Sequence, residues 1–178
     1  TELSTRLDPE DMQDVIRAYQ DSVTNAVQHF DGYVAKFMGD GVLVYFGYPQ
    51  AHEDDTERAV RASLDVIASM ADLNTQVGDQ HGVELAVRIG IATGQVVVGD
   101  IVGEGAAEEA AVIGETPNLA AHLQAIAEPN QVIVSEATQR LLSDLFEYDD
   151  LGTHELKGIA TPAQVWRVTR EIDIDSLH

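Results

Sequence analysis

Lys36 and Asp40 stand four residues apart in Lys36-Phe37-Met38-Gly39-Asp40, where apolar residues approach an aspartate flanked by glycines. The spacing sets a cation beside a carboxylate near the tip of a predicted hairpin, and phosphate chemistry uses both charges. Taken alone, Gly39-Asp40-Gly41 also reads as a plain turn, and Lys36 as a solvated strand cation. A second pair, Asn118 and His122, lies one helical turn apart on one face of a predicted helix. By itself Asn118 is a polar residue in a first helical turn, a common placement. Lys157, in Leu156-Lys157-Gly158, reads as a surface residue before a turn. His52 beside Glu53, Asp54 and Asp55 suggests a metal site, but an acidic first turn is the usual start of a helix and explains the cluster better. His29, His81, His154 and His178 lack ligand spacing.

The elements that must position these residues follow from periodicity. Asp8-Pro9-Glu10-Asp11 is an N-cap, a proline at the first helical position and acidic residues at the positive end of the helix dipole. Met12, Val15, Ile16, Tyr19, Val23, Ala26, Val27 and Phe30 then form one apolar stripe that Asp31-Gly32 ends. Residues 33 to 46 turn β-branched and aromatic around Gly39-Asp40-Gly41, predicting two strands in a hairpin. A helix over roughly 54 to 76 carries Val60, Leu64, Ile67, Ala71 and Leu73 on one side. Val87 to Ala92 and Gln95 to Val102 predict a second hairpin, followed by a small acidic loop and a short strand at Ala111-Val112-Ile113. Thr116-Pro117 is an N-cap with proline behind it, and Leu119, Leu123 and Ile126 give the next helix its apolar stripe. A strand at Val132 to Val134, a helix from Ser135 to about Leu142, and strands near Phe146, Glu155 and Val165 to Val168 complete the pattern. Strict alternation of strand and helix is missing, so the expected class is α+β, an antiparallel-rich sheet with covering helices on one side. One domain over 1–170 and an acidic tail over 171–178 are expected.

Bulk composition narrows the chemistry. Ten basic against 31 acidic residues give a formal net charge of −21 over 178 residues. Such a surface repels nucleic acid and anionic membranes, so neither is an expected partner. A small anionic substrate needs a local reversal of sign from a metal ion, a positioned Lys or Arg, or a helix N-terminus. The chain has no cysteine, which excludes disulfides, thiolate nucleophiles and Cys-based zinc sites and suits the cytoplasm. The longest apolar run, around Val42 to Phe46, is too short to cross a bilayer.

Val34-Ala35-Lys36-Phe37-Met38-Gly39-Asp40-Gly41, the stretch Tyr48-Pro49 to Ala59, Arg88-Ile89-Gly90-Ile91, Gly94 to Gly99, Gly114-Glu115-Thr116-Pro117-Asn118-Leu119-Ala120-Ala121 and Leu156-Lys157-Gly158 resemble class III adenylate and guanylate cyclase catalytic domains, in the family's order. The resemblance is nearest to the soluble bacterial branch. It implies a ferredoxin-like or palm-like cyclase fold and a head-to-tail homodimer with two composite sites, each built from the metal-binding side of one chain and the base-binding side of the other. It also implies two Mg²⁺ or Mn²⁺ ions held by two aspartates, one ion acidifying the ribose 3′-hydroxyl and the other neutralising the triphosphate.

Residue by residue, Asp40 matches the second metal-binding aspartate; the first, with its strand, is expected just upstream of Thr1. Lys36 matches the lysine that contacts the purine and disfavours guanine. Its usual partner, three residues before Gly114, is Ala111 here, which offers no side-chain hydrogen bond and weakens base choice. Asn118 matches the asparagine that orients the ribose, and Lys157 a lysine on the terminal phosphates. His122 takes the place of the transition-state arginine, and histidine is shorter and titrates near neutrality. The expected activity is conversion of ATP, less readily GTP, to 3′,5′-cyclic nucleotide and pyrophosphate. The alternative is a degenerate domain that binds nucleotide or dimerises to regulate attached domains. A diguanylate cyclase is disfavoured because the hairpin tip, Met38-Gly39-Asp40-Gly41, lacks a Gly-Gly-acidic-acidic-Phe pattern.

Overall fold

Helix α1 (Pro9–His29) opens on proline, whose missing N–H has no helical partner to lose at that position, with Glu10 and Asp11 in its first turn. The computed structural model describes residues 9–38, 41–48, 50–78, 84–94, 115–142, 145–155 and 162–171. The chain divides into two compact units, Thr1–Val87 and Arg88–His178. The buried side chains of α1 are Val15, Tyr19, Val23, Ala26 and Val27, five of the eight positions of the expected stripe, while Met12, Ile16 and Phe30 sit half-buried. The helix ends where Asp31 takes a left-handed φ of 62° and the Gly32 amide donates back to the Val27 carbonyl at 2.8 Å.

Strands β1 (Tyr33–Met38) and β2 (Gly41–Tyr45) pair antiparallel, as the hairpin pattern predicts. Their register shifts between Val34 and Lys36, leaving Ala35 as an extra residue in a β-bulge.

Helix α2 (Asp55–Leu73) lies against α1. Its buried face is Ala59, Val60, Ala62, Ser63, Val66, Met70 and Leu73, which corrects the expected stripe: Leu64 and Ile67 sit half-buried and Ala71 is exposed. Small side chains at 59, 62 and 63 are buried ahead of Leu64 and Ile67. The Ser63 hydroxyl is satisfied on the Ala59 carbonyl at 2.8 Å, and Ser22 and Ser69 join the two helices at 2.9 Å. Arg58 reaches Asp54 and Asp31, each at 2.8 Å, and its hydrogen bond to Asp54 draws that carboxyl below its ordinary range. The helix stops at Leu73, short of the expected 76, and passes into a π turn (Asn74–Gly78). There the Asn74 side chain accepts from the Leu85 amide and donates to its carbonyl, closing the pairing a strand neighbour would supply.

The second unit is a four-stranded sheet in the order β3-β4-β6-β5. Strand β3 (Arg88–Ile91) pairs parallel with β4 (Gln131–Ser135), and a crossover containing helix α3 (Glu115–Ile126) joins them. The partner expected for β3 over 95–102, and the short strand at 111–113, lie outside the described residues, as does 172–178. Helix α4 (Glu136–Leu142) leads into β5 (Phe146–His154) and β6 (Ala163–Glu171), which pair antiparallel. The strands expected separately near Phe146 and Glu155 are one strand with a register shift between Asp150 and Thr153. The Asp149–Arg167 ion pair joins two directly opposed positions of β5 and β6. The core of this unit is Leu123, Ala127, Ile133 and Val165, with Leu119 and Ile126 packed against it. Among the described residues no helix is long and apolar enough to cross a membrane.

Tyr148 donates its hydroxyl to the carbonyl of Leu142, the last residue of α4, at 2.8 Å, and meets Trp166 edge-on. It satisfies one of the carbonyls that a helix end leaves open. Burial pushes the phenol up from 10.0 to about 12. The folded value is the higher one, so this contribution is full below about pH 10 and is lost as pH rises through about 12. Tyr148→Phe is expected to cost about 1 kcal/mol in urea unfolding at neutral pH and to flatten the alkaline loss of stability in that window.

Candidate functional site

Helix α3 carries two of the expected site residues. It begins at Glu115, one residue before the predicted cap, so Thr116 and Pro117 fall inside the first turn, where proline still sacrifices no hydrogen bond. Leu119, Leu123 and Ile126 face the sheet. Asn118 and His122 immediately precede Leu119 and Leu123, at the border of the buried face. The structure thus brings Asn118 and His122 together one turn apart, Asn118 exposed and His122 half-buried.

Gly90 determines how closely that helix sits. A Cβ at 90 would stand 2.3 Å from the Ala120 carbonyl oxygen, 2.4 Å from the Gln124 nitrogen and 3.0 Å from the Leu123 carbonyl carbon. Strand β3 and helix α3 therefore meet backbone to backbone at the level of His122. A lone glycine inside an apolar strand is the sequence signal for such an approach. At the start of α3 Gly94 meets a side chain instead, since an added Cβ would stand 2.6 Å from the Thr116 hydroxyl.

The segment between these glycines is tied to the first turn of α4. Thr93 and Thr138 share a 2.7 Å hydroxyl contact, and Thr138 and Ser135 another at 3.0 Å. Ser135 caps α4, accepting from the Thr138 amide at 3.4 Å. Sequence reasoning placed Ser135 at that helix start but missed the link to Thr93, because the partners are 45 residues apart.

In the first unit Lys36 is half-buried in β1 and opposes Leu43. Opposed residues of an antiparallel pair share a face and facing repeats every second residue, so Lys36 lies on the face of Tyr33 and Tyr45. Unbulged, a residue three positions from Tyr33 would lie on the opposite face; the extra Ala35 turns Lys36 to this one. Burial, and then neighbouring Tyr33, raise the Tyr45 phenol above its ordinary value. Phe37 stands on the other face and is 44% exposed.

Asp40, Ala111 and Lys157 lie outside the described residues. Among the described residues no group of three or more histidines and carboxylates is placed to hold a metal ion. His52 has a local role instead: its amide donates to Asp55 at 2.7 Å and its ring nitrogen lies 3.3 Å from the other carboxylate oxygen, bracing the entry to α2.

The family model for the adenylate and guanylate cyclase catalytic domain matches residues 1–169. An uncharacterized protein of Rhizobium meliloti is 34% identical over 179 residues, spanning 100% of this chain and 17% of that protein. Adenylate cyclase 1 of the same organism is 28% identical over 94% of this chain and 25% of its own length. The chain thus spans a sixth to a quarter of these relatives. Among solved structures, the adenylyl cyclase CyaB from P. aeruginosa superposes with a TM-score of 0.84 at 28% identity, covering 94% of this chain and 87% of that one. The guanylyl cyclase Cya2 gives 0.84 at 29% identity, covering 96% and 86%. These matches bear out the expected class III cyclase fold, and the chain belongs to the adenylate and guanylate cyclase catalytic domain family.

Proposed function

We propose that this chain is the catalytic domain of an adenylate cyclase that converts ATP to 3′,5′-cyclic AMP and pyrophosphate in the cytoplasm, at composite sites in a head-to-tail homodimer. The observation that carries the reading is the presentation of Asn118 and His122 on one face of a helix seated on the sheet through Gly90, in a chain of the cyclase family. The Asn118 amide holds the ribose so that its 3′-hydroxyl lies in line with the α-phosphate, converting proximity into rate. His122, when protonated, offers positive charge to the reacting phosphate, and Lys157 to the terminal phosphates. Mg²⁺ or Mn²⁺ held by Asp40 and an upstream carboxylate would supply neutralisation of the triphosphate and acidification of the 3′-hydroxyl.

Lys36 selects the base. Its ammonium can only donate, which suits the acceptor N1 of adenine and not the N1–H of guanine. With alanine at 111, base choice falls on Lys36 alone. Lys36→Ala is expected to lower the ratio of kcat/KM for ATP to that for GTP by about tenfold, measured with both nucleotides at equal Mn²⁺.

Histidine at 122 favours a second reading, a domain that binds nucleotide and regulates its neighbours with little turnover. The deciding experiment incubates the full-length protein with Mn²⁺ and either ATP or GTP and follows cyclic product. Cyclic AMP formation supports the enzyme; a folded, dimeric protein that binds nucleotide and forms no cyclic product from either supports the regulator.

A further inference from the structure

Thr138 is fully buried, Ser135 is 5% exposed and Thr93 is half-buried, so the hydroxyl string from Ser135 through Thr138 to Thr93 is shielded from water at its Ser135–Thr138 end. The Thr138 hydroxyl carries one proton and has two hydroxyl neighbours, so it can donate to only one of them and accepts from at least one. Removing it breaks both contacts, where a neutral packing position would tolerate the isosteric valine. The string ends on Thr93, next to Gly94, whose Cα lies against the Thr116 hydroxyl. Thr116 is two residues ahead of Asn118 and six ahead of His122 on α3. The middle of α3 is seated on Gly90, and its first turn meets the segment held by Thr93.

We propose that Thr138 is a positioning residue: through its hydrogen bond to Thr93 it fixes the segment Ala92-Thr93-Gly94 against Thr116, and so sets the direction in which the first turn of α3 presents Asn118. It touches no substrate and acts through Thr93. The proposal rests on the cyclase reading for its kinetic consequence and on the fold alone for its structural one.

The test uses Thr138→Val, which keeps the shape; Thr138→Ser, which keeps the hydroxyl; Thr93→Val; and the double valine variant. Backbone ¹⁵N order parameters at Gly94, Thr116 and Asn118 are expected to fall from about 0.85 to below about 0.6 in Thr138→Val and Thr93→Val, with Leu123 unchanged. Thr138→Ser should restore them. In turnover of ATP, Thr138→Val should lower kcat about tenfold with KM within about twofold, and the double variant should be no worse than either single one. Order parameters that stay rigid in a folded Thr138→Val, or additive effects of the two valines, overturn the proposal. Should Thr138→Val fail to fold, Thr93→Val carries the same two criteria. A wild-type protein without turnover overturns the cyclase reading only, and the order parameters then decide the positioning role.

Discussion

Gly90→Ala is expected to destabilise the second unit by about 3 kcal/mol, the upper end of what inserting one methyl into a close-packed contact costs. All three atoms nearest the new Cβ, at 2.3, 2.4 and 3.0 Å, belong to the α3 backbone and cannot rotate away as a side chain does. The helix must lift from β3, which opens the contacts of Leu123 with Ile133 and Val165. Urea unfolding measures the loss, with Ile133→Val as a reference expected to cost about 1 kcal/mol. Because α3 carries Asn118 and His122, turnover of the folded fraction should fall as well, whereas Ile133→Val should leave it near wild type. A Gly90→Ala midpoint within experimental error of wild type would refute the backbone-on-backbone seat.

His122→Arg is expected to raise kcat for ATP with Mn²⁺ on the order of a hundredfold, below the 10³ to 10⁵ an arginine supplies in other phosphoryl transfers because the histidine already offers part of the hydrogen bonding. KM should change by less than about threefold, since the added contact forms as charge develops on the reacting phosphate. His122 is half-buried beside exposed Asn118 and Ala121, so the longer side chain has room and stability should hold. Stopped assays of cyclic AMP over a range of ATP concentrations separate the two constants. An unchanged kcat in the folded variant would mean that histidine already meets the requirement, and an inactive one that the site serves binding.

Local patterns were legible in the sequence. The 3- and 4-residue spacing of α1, the Pro9 start and the strands on either side of Gly39-Asp40-Gly41 each depend on neighbours within a few residues, and all were found where expected. The Asn118 and His122 spacing held for the same reason. What escaped reading was settled between distant segments. The parallel pairing of β3 with β4 joins residues some 43 apart, as in Arg88 with Gln131, and nothing near either strand announces it. Ala59 and Ser63 are buried ahead of Leu64 and Ile67 because α1 selects the face of α2, which hydrophobicity alone does not reveal. The Thr93–Thr138 contact was hidden likewise, since threonine is common in both strands and caps.

The bulge at Ala35 divides the hairpin into two phases. Tyr33 and Val34 keep their pairing with Tyr45 and Val44, while everything beyond Ala35 is read one step out of alternation. Deleting Ala35 would remove the bulge and keep Lys36 opposite Leu43 on its present side, whereas the same residues paired without the bulge would put Lys36 opposite Val42, on the side now occupied by Phe37. Whether this one residue is looped out or paired therefore decides which side of the ribbon is charged and which is greasy, without any change to the chain's composition.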